Sequence, residues 1–199
     1  MKKRILALMI AVMAVFMTAC GGTEYTPGTF TETGYETKFL GFRFTTPEGF
    51  VLSSAEELSQ LMGITMDTLN ESGDITEVQK KYAELTSIYE LMVSDSIGGA
   101  NINIVLEKTS VPLNSYIEIV KEQLTEVSVM TVNINSEEEV EFAGETYTKL
   151  AADVEANGVA MYQDYYIRKV NGYVMMMTVT WADGFEAEKD AMINGFAAY

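Results

Sequence analysis

The chain has 199 residues: 13 Lys and Arg, 29 Asp and Glu, one Cys, one Trp and no His, for a formal charge of −16. Without His no Ser-His-Asp or Cys-His pair can form, and a single Cys makes neither a His/Cys metal cluster nor an intrachain disulfide. An acidic chain is a poor fit to phosphate backbones, so nucleic acid is not an expected partner, and no cofactor or metal is expected.

The first twenty residues differ from the rest. Lys2, Lys3 and Arg4 precede an unbroken apolar run of 13 residues, Ile5 to Met17. As a helix that run would span about 20 Å, against a hydrocarbon core of about 30 Å. This is the length of a signal-peptide core rather than of a membrane span. Met17-Thr18-Ala19-Cys20 closes the segment and resembles the bacterial lipobox, with Met in place of the usual Leu. The resemblance implies cleavage between Ala19 and Cys20, with the Cys20 thiol carrying a diacylglyceryl group. The expected location is the outer or periplasmic side of a cell membrane, held by lipid. Loss of the three leader cations leaves 10 cations against 29 acids, a formal −19. Anionic lipid would repel such a chain overall, so the lipid itself must supply the anchor.

The span 20–37 is rich in Gly, Thr and Glu and lacks helical or strand periodicity, which predicts a lipidated Cys followed by a flexible tether. Residues 38–199 have the length of one domain. Leu40, Phe42 and Phe44 alternate with polar residues, and Thr46-Pro47-Glu48-Gly49 places Pro and Gly for a turn into Phe50-Val51-Leu52, which predicts a hairpin. Ser54 and Glu57 have capping-box spacing before a short helix expected to stop at Gly63, followed by a loop over 64–74. Asp74 and Glu77 cap a second predicted helix over Ile75–Leu85.

Strands are predicted at Ser87–Val93 and Asn101–Lys108, joined by a Gly-rich tip. Pro112, Ser115 and Glu118 open a helix whose stripe is Ile117, Val120, Leu124 and Val127. Short strands at Met130–Ile134 and Glu139–Phe142 lead to longer ones at Tyr147–Glu155, Val159–Lys169 and Tyr173–Trp181. Asn157-Gly158 and Asn171-Gly172 mark the hairpin turns between those longer strands. Asp183 with Glu186 caps a last helix whose face runs Phe185, Met192, Phe196 and Tyr199. Consecutive hairpins force antiparallel pairing, so the predicted class is α+β: a curved antiparallel sheet of six to eight strands flanked by helices.

The stretch Phe39-Leu40-Gly41-Phe42-Arg43-Phe44-Thr45-Thr46-Pro47-Glu48-Gly49-Phe50 resembles the opening of PsbP-like domains, with an aromatic-rich strand, a Pro-Glu-Gly turn and a further aromatic. The order of elements over Lys38–Tyr199 is similar too. The resemblance implies a central antiparallel sheet in α/β/α layers and a protein that works by docking to partners, with no catalytic signature to carry over.

Candidate sites are few. The acids Glu137, Glu138, Glu139 and Glu141 could ligate calcium, but on a strand they point to alternate faces, and they read as a solvated edge that discourages strand addition. The Tyr- and Met-rich strands 161–168 and 173–181 could form an adaptable binding face and read more simply as a sheet buried on both sides. The tip 94–100 has the look of a phosphate-cradling loop without its Lys or its spacing. It is the preferred interaction site, with Asp95, Ile97, Gly98 and Gly99, because Ile97 has no evident core register. The expected function is a lipid-anchored, non-catalytic domain that meets an envelope protein or an extracellular ligand. The alternative is a carboxylate-dependent hydrolase of wall or glycan substrates, which needs a pair of acids in a cleft.

Overall fold

The computed structural model describes residues 24–73, 76, 87–156 and 158–199. The leader with Ala19 and Cys20, the helix expected over Ile75–Leu85 with its Asp74 and Glu77 cap, and Asn157 lie outside the described residues. Among the described residues, no helix is long and apolar enough to cross a membrane.

The framework is a seven-stranded antiparallel sheet. Its strands are β4 (Phe50–Ser53), β5 (Ser87–Asp95), β6 (Ala100–Lys108), β7 (Thr131–Phe142), β8 (Glu145–Ala156), β9 (Val159–Val170) and β10 (Tyr173–Ala182), in spatial order β4-β5-β6-β10-β9-β8-β7. Asn171 and Gly172 both have positive φ, 49° and 86°, the backbone of the tight turn that matches strand twist. That turn fixes the β9–β10 register residue by residue along both strands. Successive residues of the Val174–Met177 run enter opposite cores: Met175 and Met177 one, Val174 and Met176 the other. The α+β class and the strand number match the sequence expectation.

One face of this sheet is covered by α2 (Leu113–Glu126), through Tyr116, Ile117, Val120 and Leu124. The other is covered by a second, four-stranded sheet, β1 (Thr29–Thr31), β2 (Gly34–Thr37), β3 (Phe42–Thr45) and β11 (Phe196–Ala198), in order β1-β2-β3-β11, together with α3 (Glu186–Asn194). Phe42, Phe44 and Met192 fill that second core.

Several local expectations are corrected. The span read as a tether contributes the β1–β2 hairpin, and Tyr35 within it is 3% exposed. Gly34 is what lets β2 approach β3, because a Cβ there would lie 1.9 Å from the Phe44 carbonyl oxygen. The strands flanking Pro47 do not pair with each other. β3 is taken on both edges by β2 and β11, so the chain turns at Pro47–Phe50, with Gly49 at φ 84°, and β4 joins β5 in the other sheet.

The Ser54–Glu57 capping box forms as expected: the Glu57 N–H donates to Ser54 Oγ at 3.2 Å and the Ser54 N–H to Glu57 Oε2 at 2.8 Å. The helix it opens, α1 (Ala55–Ser72), runs through Gly63 and over the expected loop. Gly63 is exposed, and an interior glycine costs only about 1 kcal/mol, too little to stop a capped helix. The stop is Gly73, at φ 83°.

The two short strands expected over 130–142 are one strand, β7, with a bulge between Ile134 and Ser136 where the sequence reads as a break. Neither α2 nor α3 has a side-chain cap; Pro112 and Phe185 occupy the N-cap positions, so Ser115 and Asp183 do not cap them. Phe196 belongs not to a helix but to β11, where it pairs with Phe44.

Glu90 joins the N-terminal segment to the framework. It is the bulged residue of β5, between Tyr89 and Leu91, and is 3% exposed. The Tyr35 hydroxyl donates to its Oε1 at 2.5 Å and the Tyr25 hydroxyl to its Oε2. Tyr25 also packs against Phe39 and Tyr173, with ring centroids 5.4 and 6.3 Å away. A buried carboxyl is tolerable only when its oxygens are satisfied, and here both are. At the same end of the sheet Arg168 donates to the Leu40 carbonyl, pairs with Glu145 at 3.5 Å and lies 5.2 Å over the Tyr147 ring.

Burial first, and then the bond to Glu90 and its charge, raise the Tyr25 and Tyr35 hydroxyls far above the ordinary tyrosine range. Burial likewise raises Tyr116 and Tyr165, and pushes Tyr166 up to about 12 with help from Asp164 and Glu138. In the unfolded chain all five ionise near pH 10. The sign follows from proton binding: above pH 10 the folded state holds more protons than the unfolded one, so stability falls as pH rises. Denaturation followed from pH 8 to 12 should show a constant midpoint up to about pH 10 and a steep decline above it.

Candidate functional site

The interaction loop expected from the sequence is the turn between β5 and β6, and its geometry is set by Asp95. That side chain is not a free surface acid; it is 7% exposed and turned into the loop. Its Oδ1 accepts from the N–H groups of Ile97 (2.9 Å), Gly98 and Gly99, and its Oδ2 from those of Gly99 (3.0 Å) and Ala100 (2.8 Å). Converging N–H groups of this kind make an anion nest. Here the nest is filled by the chain's own carboxylate, which explains the phosphate-loop appearance of the sequence. Gly98 is required at φ 78°, and Gly99 because the Phe185 ring occupies the place of a Cβ, 2.1 Å away. The loop therefore holds Ile97 outward, 78% exposed, on a frame of four backbone N–H groups bonded to Asp95.

The strand ends around the loop bring further groups to the same end of the sheet. Phe50 lies opposite Asp95, and Val51, 56% exposed, opposite Ser94. The Ala182 N–H donates to the Gly99 carbonyl at 2.9 Å, which places Trp181 beside the loop. Trp181 stacks on Tyr162 with centroids 5.6 Å apart, and Lys189 Nζ lies 5.1 Å from the Trp181 ring. All three are half-buried. The sequence reading did not single out this trio, although part of it was legible: a two-residue turn at 171–172 pairs residues equidistant from it, which puts Tyr162 opposite Trp181.

The remaining candidates disperse. Glu137, Glu138, Glu139 and Glu141 are exposed along the edge strand β7. Glu137 pairs with Lys121, Glu138 is 3.9 Å from Lys149, and Glu141 accepts from Thr146. Among the described residues no three His, Cys, Asp or Glu side chains converge as a metal site. The buried acids each have a local partner. Glu90 takes the two tyrosines, Glu107 accepts from Tyr116 at 2.8 Å, and Asp164 pairs with Lys149 at 3.1 Å. A pocket of about 290 Å³ at the other end of the molecule, lined by Thr26, Pro27, Lys38, Phe39 and Tyr199 among others, holds a single acid, Glu36. The Tyr- and Met-rich strands are core: Tyr165 and Met176 in one layer, Tyr166 and Met177 in the other.

No protein-family model matches the chain, and no curated protein matches it by sequence. Among solved structures it is similar to cyanobacterial PsbP (CyanoP) from Synechocystis sp. PCC 6803. The identity is 12% and the TM-score 0.51, over 92% of this chain and 99% of that one. It is also similar, at a TM-score of 0.41 and 8% identity, to LpqN of Mycobacterium tuberculosis, described as involved in cell envelope biogenesis, over 78% of this chain and 82% of that one. The first likeness, over nearly the whole of both chains, shows a PsbP-like fold.

Replacing Asp95 by Asn keeps the shape of the side chain but leaves one acceptor oxygen and turns an NH₂ toward backbone donors. We expect Asp95→Asn to lose about 2–3 kcal/mol in urea denaturation, the cost of leaving buried donors unsatisfied.

Proposed function

We propose that the protein is a lipid-anchored extracytoplasmic domain that acts by non-covalent contact at the cell envelope, with the Ile97 end of the sheet as its contact surface. The location rests on Met17-Thr18-Ala19-Cys20 directly after a signal-length apolar run, with the only thiol of the chain at the one position where lipidation needs it. The observation that carries the contact surface is Ile97 itself. A large aliphatic side chain is held in solvent by a loop in which Asp95 engages the backbone N–H groups of Ile97, Gly98, Gly99 and Ala100. A pre-organised apolar residue loses little freedom on binding, and the neighbouring Trp181 and Tyr162 are residue types enriched in protein contacts. The partner is an envelope protein or an extracellular ligand.

Two variants test the two halves of this reading. Cys20→Ser should move the protein from the detergent phase to the aqueous phase in phase partitioning; unchanged partitioning contradicts the anchor. Ile97→Asp should leave the melting temperature within a degree or two of wild type, as exposed substitutions do, and should abolish recovery of the partner in pull-downs from intact cells. Full recovery with the variant contradicts the contact surface.

A further inference from the structure

Trp181, Tyr162 and Asp153 form one row across β10, β9 and β8, each paired with the next and so on one face of the sheet. Asn133 continues the row on β7. α3 closes the row on one side, where Lys189 lies over the Trp181 ring. On the other side Asp153, Asn133 and Glu155 are exposed. Glu155 leaves the same face of β8 two residues on, about 7 Å from Asp153 at the usual strand rise. Two carboxylates so placed repel each other.

The acids of this end outnumber its cations. Glu48 stands in the turn before Phe50, Asp183 in the turn after Trp181, and Glu126 ends α2 before β7 enters opposite Glu155. All three are exposed. Within α3, Glu186, Glu188 and Asp190 surround Lys189, and Asp190 pairs with it at 2.8 Å. Among the described residues Lys189 is the one cation at this end. The next along the same face, Lys149, is held by Asp164 at 3.1 Å and lies 3.9 Å from Glu138. Lys121, on the other face, is paired with Glu118 and Glu137. Glu186 has a local reason to be acidic, since it meets the positive end of α3. Asp153 and Glu155 have none, and neither forms an ion pair or a side-chain hydrogen bond among the described residues.

The apolar part of this end, Ile97 with the Trp181–Tyr162 pair, is thus bordered by unpaired carboxylates. An acidic occupant is repelled, and a neutral one leaves the repulsion between Asp153 and Glu155 in place. A cationic one relieves it, and the Trp181 ring already accepts an ammonium, that of Lys189. We propose that the Ile97–Trp181 end receives a cationic protein surface, whose Lys or Arg side chains meet Asp153 and Glu155 beside the aromatic pair. This deepens the contact-surface reading and rests on it.

The lone tryptophan reports the test. The full-length protein, in a nonionic detergent, is titrated with a blocked peptide of alternating Arg and Leu, and Trp181 emission is followed. The same peptide with Glu for Arg, and neutral chitohexaose, are titrated in parallel. The Arg peptide should bind, and more weakly as salt is raised; the other two should not. Asp153→Asn/Glu155→Gln should weaken the Arg peptide several-fold, whereas Glu139→Gln/Glu141→Gln, on the edge strand β7, should leave it unchanged. No response to the Arg peptide, equal loss in both double variants, or a response to chitohexaose alone would each overturn the proposal, the last by assigning this end to a glycan. Ile97→Ser separates the two readings. Loss of binding in Ile97→Ser with none in Asp153→Asn/Glu155→Gln keeps the contact surface and rejects the cationic partner. Loss in the acid variant with none in Ile97→Ser keeps the cationic partner and rejects Ile97 as the contact.

Discussion

A single buried carboxyl decides where this domain begins. Glu90 projects from the β5 bulge into the core between the two sheets, where an unsatisfied carboxyl would be costly. Its two oxygens are met by Tyr25 and Tyr35, both from a segment whose composition reads as a linker. Satisfying Glu90 therefore requires the N-terminal segment to be folded, and folding that segment places β2 against β3. The small sheet then covers the face of the large one that α2 leaves open. The bulge, the two tyrosines and the four-stranded sheet form one dependency, and removing any of them exposes the others.

That dependency also orders the molecule along its length. Glu90 lies level with Met176 and Met177, midway along β10, with Tyr25 packed from it toward Tyr173, while the pre-organised loop lies at the Trp181 end of the same strand. The loop is self-contained. The N–H groups of Ile97, Gly98, Gly99 and Ala100 are taken by Asp95, so the nest is already filled and the loop offers apolar surface rather than an anion site. The Glu90 tyrosines are held by buried hydrogen bonds, whereas the loop end presents Ile97 in solvent beside Trp181 and Tyr162.

What the sequence disclosed was set by how local the determinants are. The β9–β10 hairpin was legible because Asn171 and Gly172 specify a tight turn on their own, and the register of ten residue pairs follows from it. The α1 cap was legible because Ser54 and Glu57 bond only to each other. The misread elements depend on distant partners. β2 is too short and too polar to announce a strand, and it forms because Gly34 fits under Phe44 and Tyr35 finds Glu90. The strands around Pro47 look like a hairpin, and only the arrival of β11 from the other end of the chain shows why β3 needs no further partner. At the candidate site the exposure of Ile97 follows from its lack of core register, whereas Asp95, grouped with it as a contact residue, is the group that holds the loop. Charge pattern alone does not reveal that an acid is enclosed by the amides that follow it.

The central claim is that the segment from Tyr25 to Thr37 is part of the folded core. Native-state hydrogen exchange tests it directly, because protection reports the free energy of the opening that releases each amide. The account predicts that the amides of Tyr35, Glu36 and Thr37 exchange as slowly as those of Ile102–Leu106 in β6, and that Glu90→Gln speeds exchange in the segment first. Exchange of residues 29–37 at the rate of a free peptide, with β6 still protected, would contradict it.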